Sequence, residues 1–73
     1  MDNQVDYVLV VNISDGINLM YYSGYYKGDM PFNTDCYTDA AKTQYKAEAE
    51  ALCKNINYFQ KHFQYHVESH RYF

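Results

Sequence analysis

The longest apolar run of the chain, Tyr7-Val8-Leu9-Val10-Val11, continues through Asn12 to Ile13 and is rich in β-branched residues. It is too short for a stable helix, and its composition suits a pleated surface, so it reads as a buried strand. It is also far shorter than the roughly 20 apolar residues that a bilayer crossing needs. Asp2 and Asp6 flank it, and no basic segment followed by a signal-like apolar core opens the sequence. A soluble protein with no membrane partner is the expectation.

The segment after this run fits a hairpin. Ser14-Asp15-Gly16 supplies a turn, and Asp-Gly is a strong short-range hairpin signal. Ile17 to Lys27 then reads as the returning strand, its alternation broken at Tyr21-Tyr22 and again near Gly24. A glycine inside a strand marks a bulge or a close backbone approach. Gly28 to Asp35 reads as a loop, because Pro31 opposes both helix and central strand.

A helix is expected from about Thr38-Asp39, with a carboxylate near the positive end of its dipole. Ala41, Tyr45, Ala49, Leu52, Cys53, Ile56 and Phe59 recur at spacings of three and four and form its apolar stripe. A break near Thr43–Tyr45, leaving a short turn and a main helix from about Lys46, is the alternative. Asn55 and Asn57 suggest fraying at the far end. Gln64 to Phe73 alternates, with Tyr65, Val67, Ser69, Arg71 and Phe73 on one face and His66, Glu68, His70 and Tyr72 on the other. The expected fold class is α+β, ββαβ, with a three-stranded, mainly antiparallel sheet and one helix packed on a face. The chain of 73 residues is read as a single domain, 1–73.

Ten of the 73 residues are tyrosines. A domain this small has too little interior to bury so many rings and partner every phenol, so some face outward. Exposed tyrosine offers apolar area, few rotors and a polar tip, which is contact chemistry. The neighbouring charge is acidic: residues 1–41 carry a net −5, whereas residues 42–73 carry +2. That balance disfavours a nucleic-acid backbone, which needs clustered Lys and Arg, and favours a basic protein surface. The candidate partner-binding residues are Tyr21, Tyr22, Tyr25, Tyr26, Asp29, Asp35, Tyr37 and Asp39. Cross-strand packing of the tyrosines and stacking on single-stranded bases are the competing readings.

No chemistry-bearing constellation stands out. His62, His66 and His70 would line one face of a helix, but on a strand only His66, Glu68 and His70 share a face, and no fourth metal ligand is evident. Asp35 and Asp39 read as helix-entry residues rather than an acid–base pair. Cys36 and Cys53 have no CxxC partner, and two cysteines suit reduced thiols in a cytoplasm better than a secreted framework. No catalytic residue, metal or cofactor is assigned, and the expectation is a protein that is not an enzyme.

The residues also carry a resemblance. Tyr7-Val-Leu-Val-Val, the Asp15-Gly16 turn, Tyr21-Tyr22-Ser-Gly, Phe32-Asn-Thr-Asp35, Ala40-Ala41-Lys42 and Tyr45-Lys-Ala-Glu-Ala-Glu-Ala51-Leu52 resemble the small ββαβ accessory proteins of bacteriophages and mobile elements. Some of those inhibit host defence, anti-CRISPR proteins among them. This chain differs in carrying Phe32 where they carry tryptophan, and in its weak cap before the Glu-Ala helix. The resemblance implies a non-enzymatic inhibitor of a bacterial host defence protein, a CRISPR effector or another component, working in the cytoplasm of the bacterial host. It transfers no functional residue. A homodimer or larger homo-oligomer, pairing through the exposed strand Ile17–Lys27, is the alternative, with a single-stranded nucleic-acid binder behind it.

Overall fold

The computed structural model describes residues 4–12 and 19–72. The Ser14-Asp15-Gly16 turn and Ile17 lie outside the described residues. The elements in chain order are β1 (Gln4–Asn12), β2 (Leu19–Lys27), β3 (Met30–Thr34), a 3-10 turn (Tyr37–Asp39), α1 (Lys46–Phe59) and β4 (His66–Tyr72). The four strands form one antiparallel sheet in the order β3-β2-β1-β4, with α1 packed on one side. The α+β class therefore holds, and the sheet gains a strand over the three expected.

The added strand is β3, in the stretch expected to be a loop because of Pro31. An edge strand tolerates proline, since it needs only one side of its backbone for pairing. Lys27 pairs with Met30 across Gly28-Asp29, and Gly28 alone of the two has positive φ, at 68°. That is the pattern of a two-residue type II′ hairpin. β2 consequently lies between β3 and β1, so the strand expected to pair with its own copy is an inner strand of the sheet and not an outer one.

β1 is covered on both faces, as its uninterrupted apolar run requires. Leu9 and Val11 join Tyr22, Ala49, Cys53, Ile56 and Tyr65 in the cluster beneath α1. Val8 and Val10 point the other way and pack with Ala40, Tyr21 and Tyr37.

The chain passes from one face to the other through the sheet itself. β1 and β2 pair only at Val10↔Tyr21, Val11↔Met20 and Asn12↔Leu19. Beyond that, residues 41–43 fill the gap between them. Ala41 N–H donates to the Tyr22 carbonyl (2.9 Å), and Tyr7 and Thr43 exchange both backbone bonds (2.7 and 3.2 Å). Ala40 belongs to one core cluster, and Ala41 packs against the other. The two residues that step from one cluster to the other, Ala40 and Ala41, are both small. Gly24 faces this passage: its φ is +105°, and a Cβ there would lie 3.3 Å from that of Ala41.

This passage also explains the late start of α1, the alternative expected for the helix. Residues bonded to two strands cannot also be helical, so only the turn Tyr37–Asp39 forms before the crossing. Thr43 then caps the helix from outside. Its hydroxyl accepts from Tyr45 N–H (3.2 Å) and donates to Glu48 (2.9 Å) in the first turn. Ala49, Cys53 and Ile56 are the buried stripe. Tyr45, Leu52 and Phe59, expected on it, are exposed, Phe59 by 75%.

The end of α1 is stapled rather than frayed. The Asn57 amide donates to the Tyr65 carbonyl (2.9 Å) and accepts from Tyr65 N–H (2.8 Å), as a neighbouring strand would. Buried Gln60 does the same for Phe63, donating to its carbonyl (2.7 Å) and accepting from its N–H (2.9 Å). Two side-chain amides thus satisfy the backbone of the return into β4.

Candidate interaction face

Among the described residues, the sheet face opposite α1 has only the 3-10 turn over it. Alternation along the strands places Asp6, Val8 and Val10 of β1 there, with Tyr21 of β2 and His66, Glu68 and His70 of β4. The Tyr37 ring lies over this surface. Its centroid is 5.5 Å from that of Tyr21 and 4.8 Å from that of His70, and Tyr21 and His70 are 6.0 Å apart. Three aromatic rings on three elements meet in one cluster. Such edge and tilted contacts each add about 0.5–1.5 kcal/mol beyond area burial.

Charge borders the cluster. The Tyr37 hydroxyl donates to the Asp6 carboxylate (3.3 Å). Glu68 stands between two imidazoles, 2.8 Å from His66 and 3.8 Å from His70. Lys42 lies 4.9 Å from the Tyr37 ring centre while its ammonium donates to the carbonyls of Tyr37, Thr38 and Ala40 (2.8, 3.2 and 2.9 Å). Lys42 therefore closes the 3-10 turn and puts a cation on the ring that the turn presents.

A second aromatic group lies along β2 and β3. Tyr25 stacks on Phe32 at 5.4 Å with the rings 13° from parallel, and the Lys27 ammonium sits 5.7 Å from the Phe32 ring centre. Tyr25 is 59% exposed, so most of its surface is open.

The eight residues expected to bind a partner are thus divided. Tyr21 and Tyr37 come together with His70, and Tyr25 occupies the neighbouring group. Tyr26 is exposed but touches Tyr22 on the α1 side. Asp29 is exposed at the β2–β3 turn, and Asp35 and Asp39 are exposed on either side of Tyr37. Their carboxylates make no ion pair among the described residues. Tyr22 leaves the set. It is 6% exposed, packed edge-on against Tyr65 beneath α1, and belongs to the core. The pairing Val10↔Tyr21 decides which tyrosine of the pair is inside.

Asp6, Lys42 and His70 were missed as members of the face. The alternation of Gln64–Phe73 already puts His66, Glu68 and His70 on one side, and the parity of β1 adds Asp6. The sequence does not show that Tyr37 folds over that side.

The α1 side carries an open apolar groove of about 320 Å³, lined by Tyr7, Leu9, Ala41, Ala49 and Leu52. Lys42, Thr43 and Glu48 rim it, and their polar groups are committed to the turn and the helix cap. Burial pushes the Cys53 thiol above its ordinary pKa against the opposing effect of the Asn57 amide. Burial likewise raises Tyr22, helped by neighbouring Tyr26. Tyr65 is pushed up to about 12, mainly by burial and against its hydrogen bond to Asn33. No metal-binding group of three or more His, Cys, Asp or Glu residues occurs among the described residues, nor does a helix long and apolar enough to cross a membrane.

Fold and face together define a small α+β protein with a helix-packed side and a thinly covered aromatic side. No known protein family, curated protein or solved structure matches the chain.

Proposed function

We propose that this chain is a non-enzymatic inhibitor of the phage accessory type, which docks on a basic surface of a bacterial defence protein in the host cytoplasm. The observation that carries this reading is the pair of aromatic groups, Tyr21–Tyr37–His70 and Tyr25–Phe32, on the sheet face opposite α1. Rigid aromatic residues with polar tips are the side chains that dominate protein interfaces. The exposed carboxylates of Asp29, Asp35 and Asp39 supply steering toward positive charge. A nucleic-acid-binding channel of a CRISPR effector has that charge, and blocking it would be steric. The polar groups rimming the α1-side groove are already engaged in the turn and the helix cap, which supports contact rather than chemistry.

The test is plating of a phage restricted by a CRISPR host, with and without expression of this protein. Restored plating is expected, and Tyr25→Ala combined with Asp39→Lys abolishes it. Plating unchanged by the wild-type chain across hosts carrying different defence systems contradicts the proposal.

A further inference from the structure

We infer that β4 is a self-recognition edge and that two copies of this chain join through it, antiparallel, about a two-fold axis at Ser69. The two edges of the sheet differ. β3 has five residues, contains Pro31, and runs beside the register shift between Tyr22 and Tyr26. Short length, proline and an adjoining bulge are the devices that keep an edge from pairing. β4 has none of them. Its seven residues run in unbroken register against β1, from Gln4↔Tyr72 to Val10↔His66, and no described element lies beyond it.

The side chains of β4 select the partner. Only one register pairs all seven residues of β4 with themselves. It sets Ser69 opposite the partner's Ser69, Glu68 opposite the partner's His70, Val67 opposite the partner's Arg71, and His66 opposite the partner's Tyr72. A small residue then sits on the axis, and an acid faces an imidazole on each side of it. A two-residue slip centres the pair on Glu68 and opposes like carboxylates, which is destabilising. Alternate residues of β4 turn their backbone groups outward, and a two-fold at Ser69 matches that alternate set with itself. The occupant that fits this edge is therefore a second copy.

The axis is perpendicular to the sheet, so both copies turn the Tyr21–Tyr37–His70 cluster to the same side. The result is one eight-stranded sheet carrying two copies of the aromatic face, with Glu68 and His70 at the seam. A partner with repeated sites would be held by both. Dimerisation through β4 does not depend on what that partner is.

Sedimentation equilibrium of the wild-type chain, combined with cysteine cross-linking in a Cys36→Ser background, tests it. Cys36 is exposed and would otherwise cross-link on its own, whereas Cys53 is buried. Opposed residues of an antiparallel pair have Cβ atoms about 4.5–5.5 Å apart, near enough to bridge with slight adjustment. A dimer is expected, with Ser69→Cys forming a covalent dimer under mild oxidation. Val67→Cys and Arg71→Cys alone should stay uncrosslinked, and a mixture of those two should cross-link. A monomer at every concentration overturns the inference. So does a dimer in which Ser69→Cys cross-links no faster than Val67→Cys or Arg71→Cys.

Discussion

The two sides of this sheet use similar residues to different ends. Under α1, tyrosines are structural: Tyr22 and Tyr65 are buried, their rings 5.9 Å apart. On the other side Tyr21 and Tyr37 are half-buried, Tyr25 is mostly exposed, and a single 3-10 turn held by Lys42 is the only cover among the described residues. The difference lies in what surrounds each ring, not in the ring. A tyrosine beside Ala49, Cys53 and Ile56 loses its water and becomes core. One beside Asp6, Glu68 and His70 keeps part of its surface in contact with water.

Substitutions on the α1 side should break the comparison most visibly. Ile56→Ala removes a side chain that is 3% exposed and should cost about 2–5 kcal/mol, read as a fall in the urea midpoint without a change of slope. Asn57→Ala leaves the Tyr65 N–H without its partner and should cost about 1–3 kcal/mol in the same measurement. Gly24→Ala tests the passage that separates the sides. The strained φ and the crowded Ala41 predict a loss of about 1–3 kcal/mol, whereas a neutral result would mean that the crossing yields freely.

Alkaline titration sharpens the contrast among the tyrosines. The phenol of Tyr65 has a raised pKa in the folded state, so its contribution to stability is fully present below about pH 10. It is lost as pH rises through about 12, at no more than about 1.4 kcal/mol per unit. Unfolding midpoints measured across that window should fall in the wild type, and Tyr65→Phe should flatten part of the fall. The smallest effect is expected on the open side, where Tyr25→Ala should change stability by about 0.5 kcal/mol. A loss as large as that of Ile56→Ala would make Tyr25 a structural residue.

Much of this architecture is legible in the residues. The run Tyr7–Val11 is a strand buried on both faces, the alternation of residues 64–73 places Val67 and His66 on opposite sides, and Ala49, Cys53 and Ile56 form the helical stripe. β3 is hidden because Pro31 is forbidding only in a strand with two neighbours, and neighbours are a property of the whole sheet. Asn57 looks like a helix breaker because its role depends on the backbone of Tyr65, eight residues later and just ahead of β4. The passage of Ala40 and Ala41 through the sheet has no local signature beyond small size. The membership of the aromatic face is not legible in the sequence. Which of Tyr21 and Tyr22 faces outward depends on the register of β2 against β1, and Tyr37 reaches His70 only after the chain turns back.

The central claim is that stability resides on the α1 side and recognition on the aromatic side. Its most direct measurement is quantitative affinity capture from a bacterial lysate, comparing the wild type, a Tyr25→Ala/Asp39→Lys variant and a Lys54→Ala control on exposed α1 surface, all with unfolding midpoints determined in parallel. The account predicts one specific retained protein, lost at least tenfold by the aromatic-side variant and kept by the control, with all three chains folded. Equal retention by the aromatic-side variant, or loss by the α1 control, would contradict it.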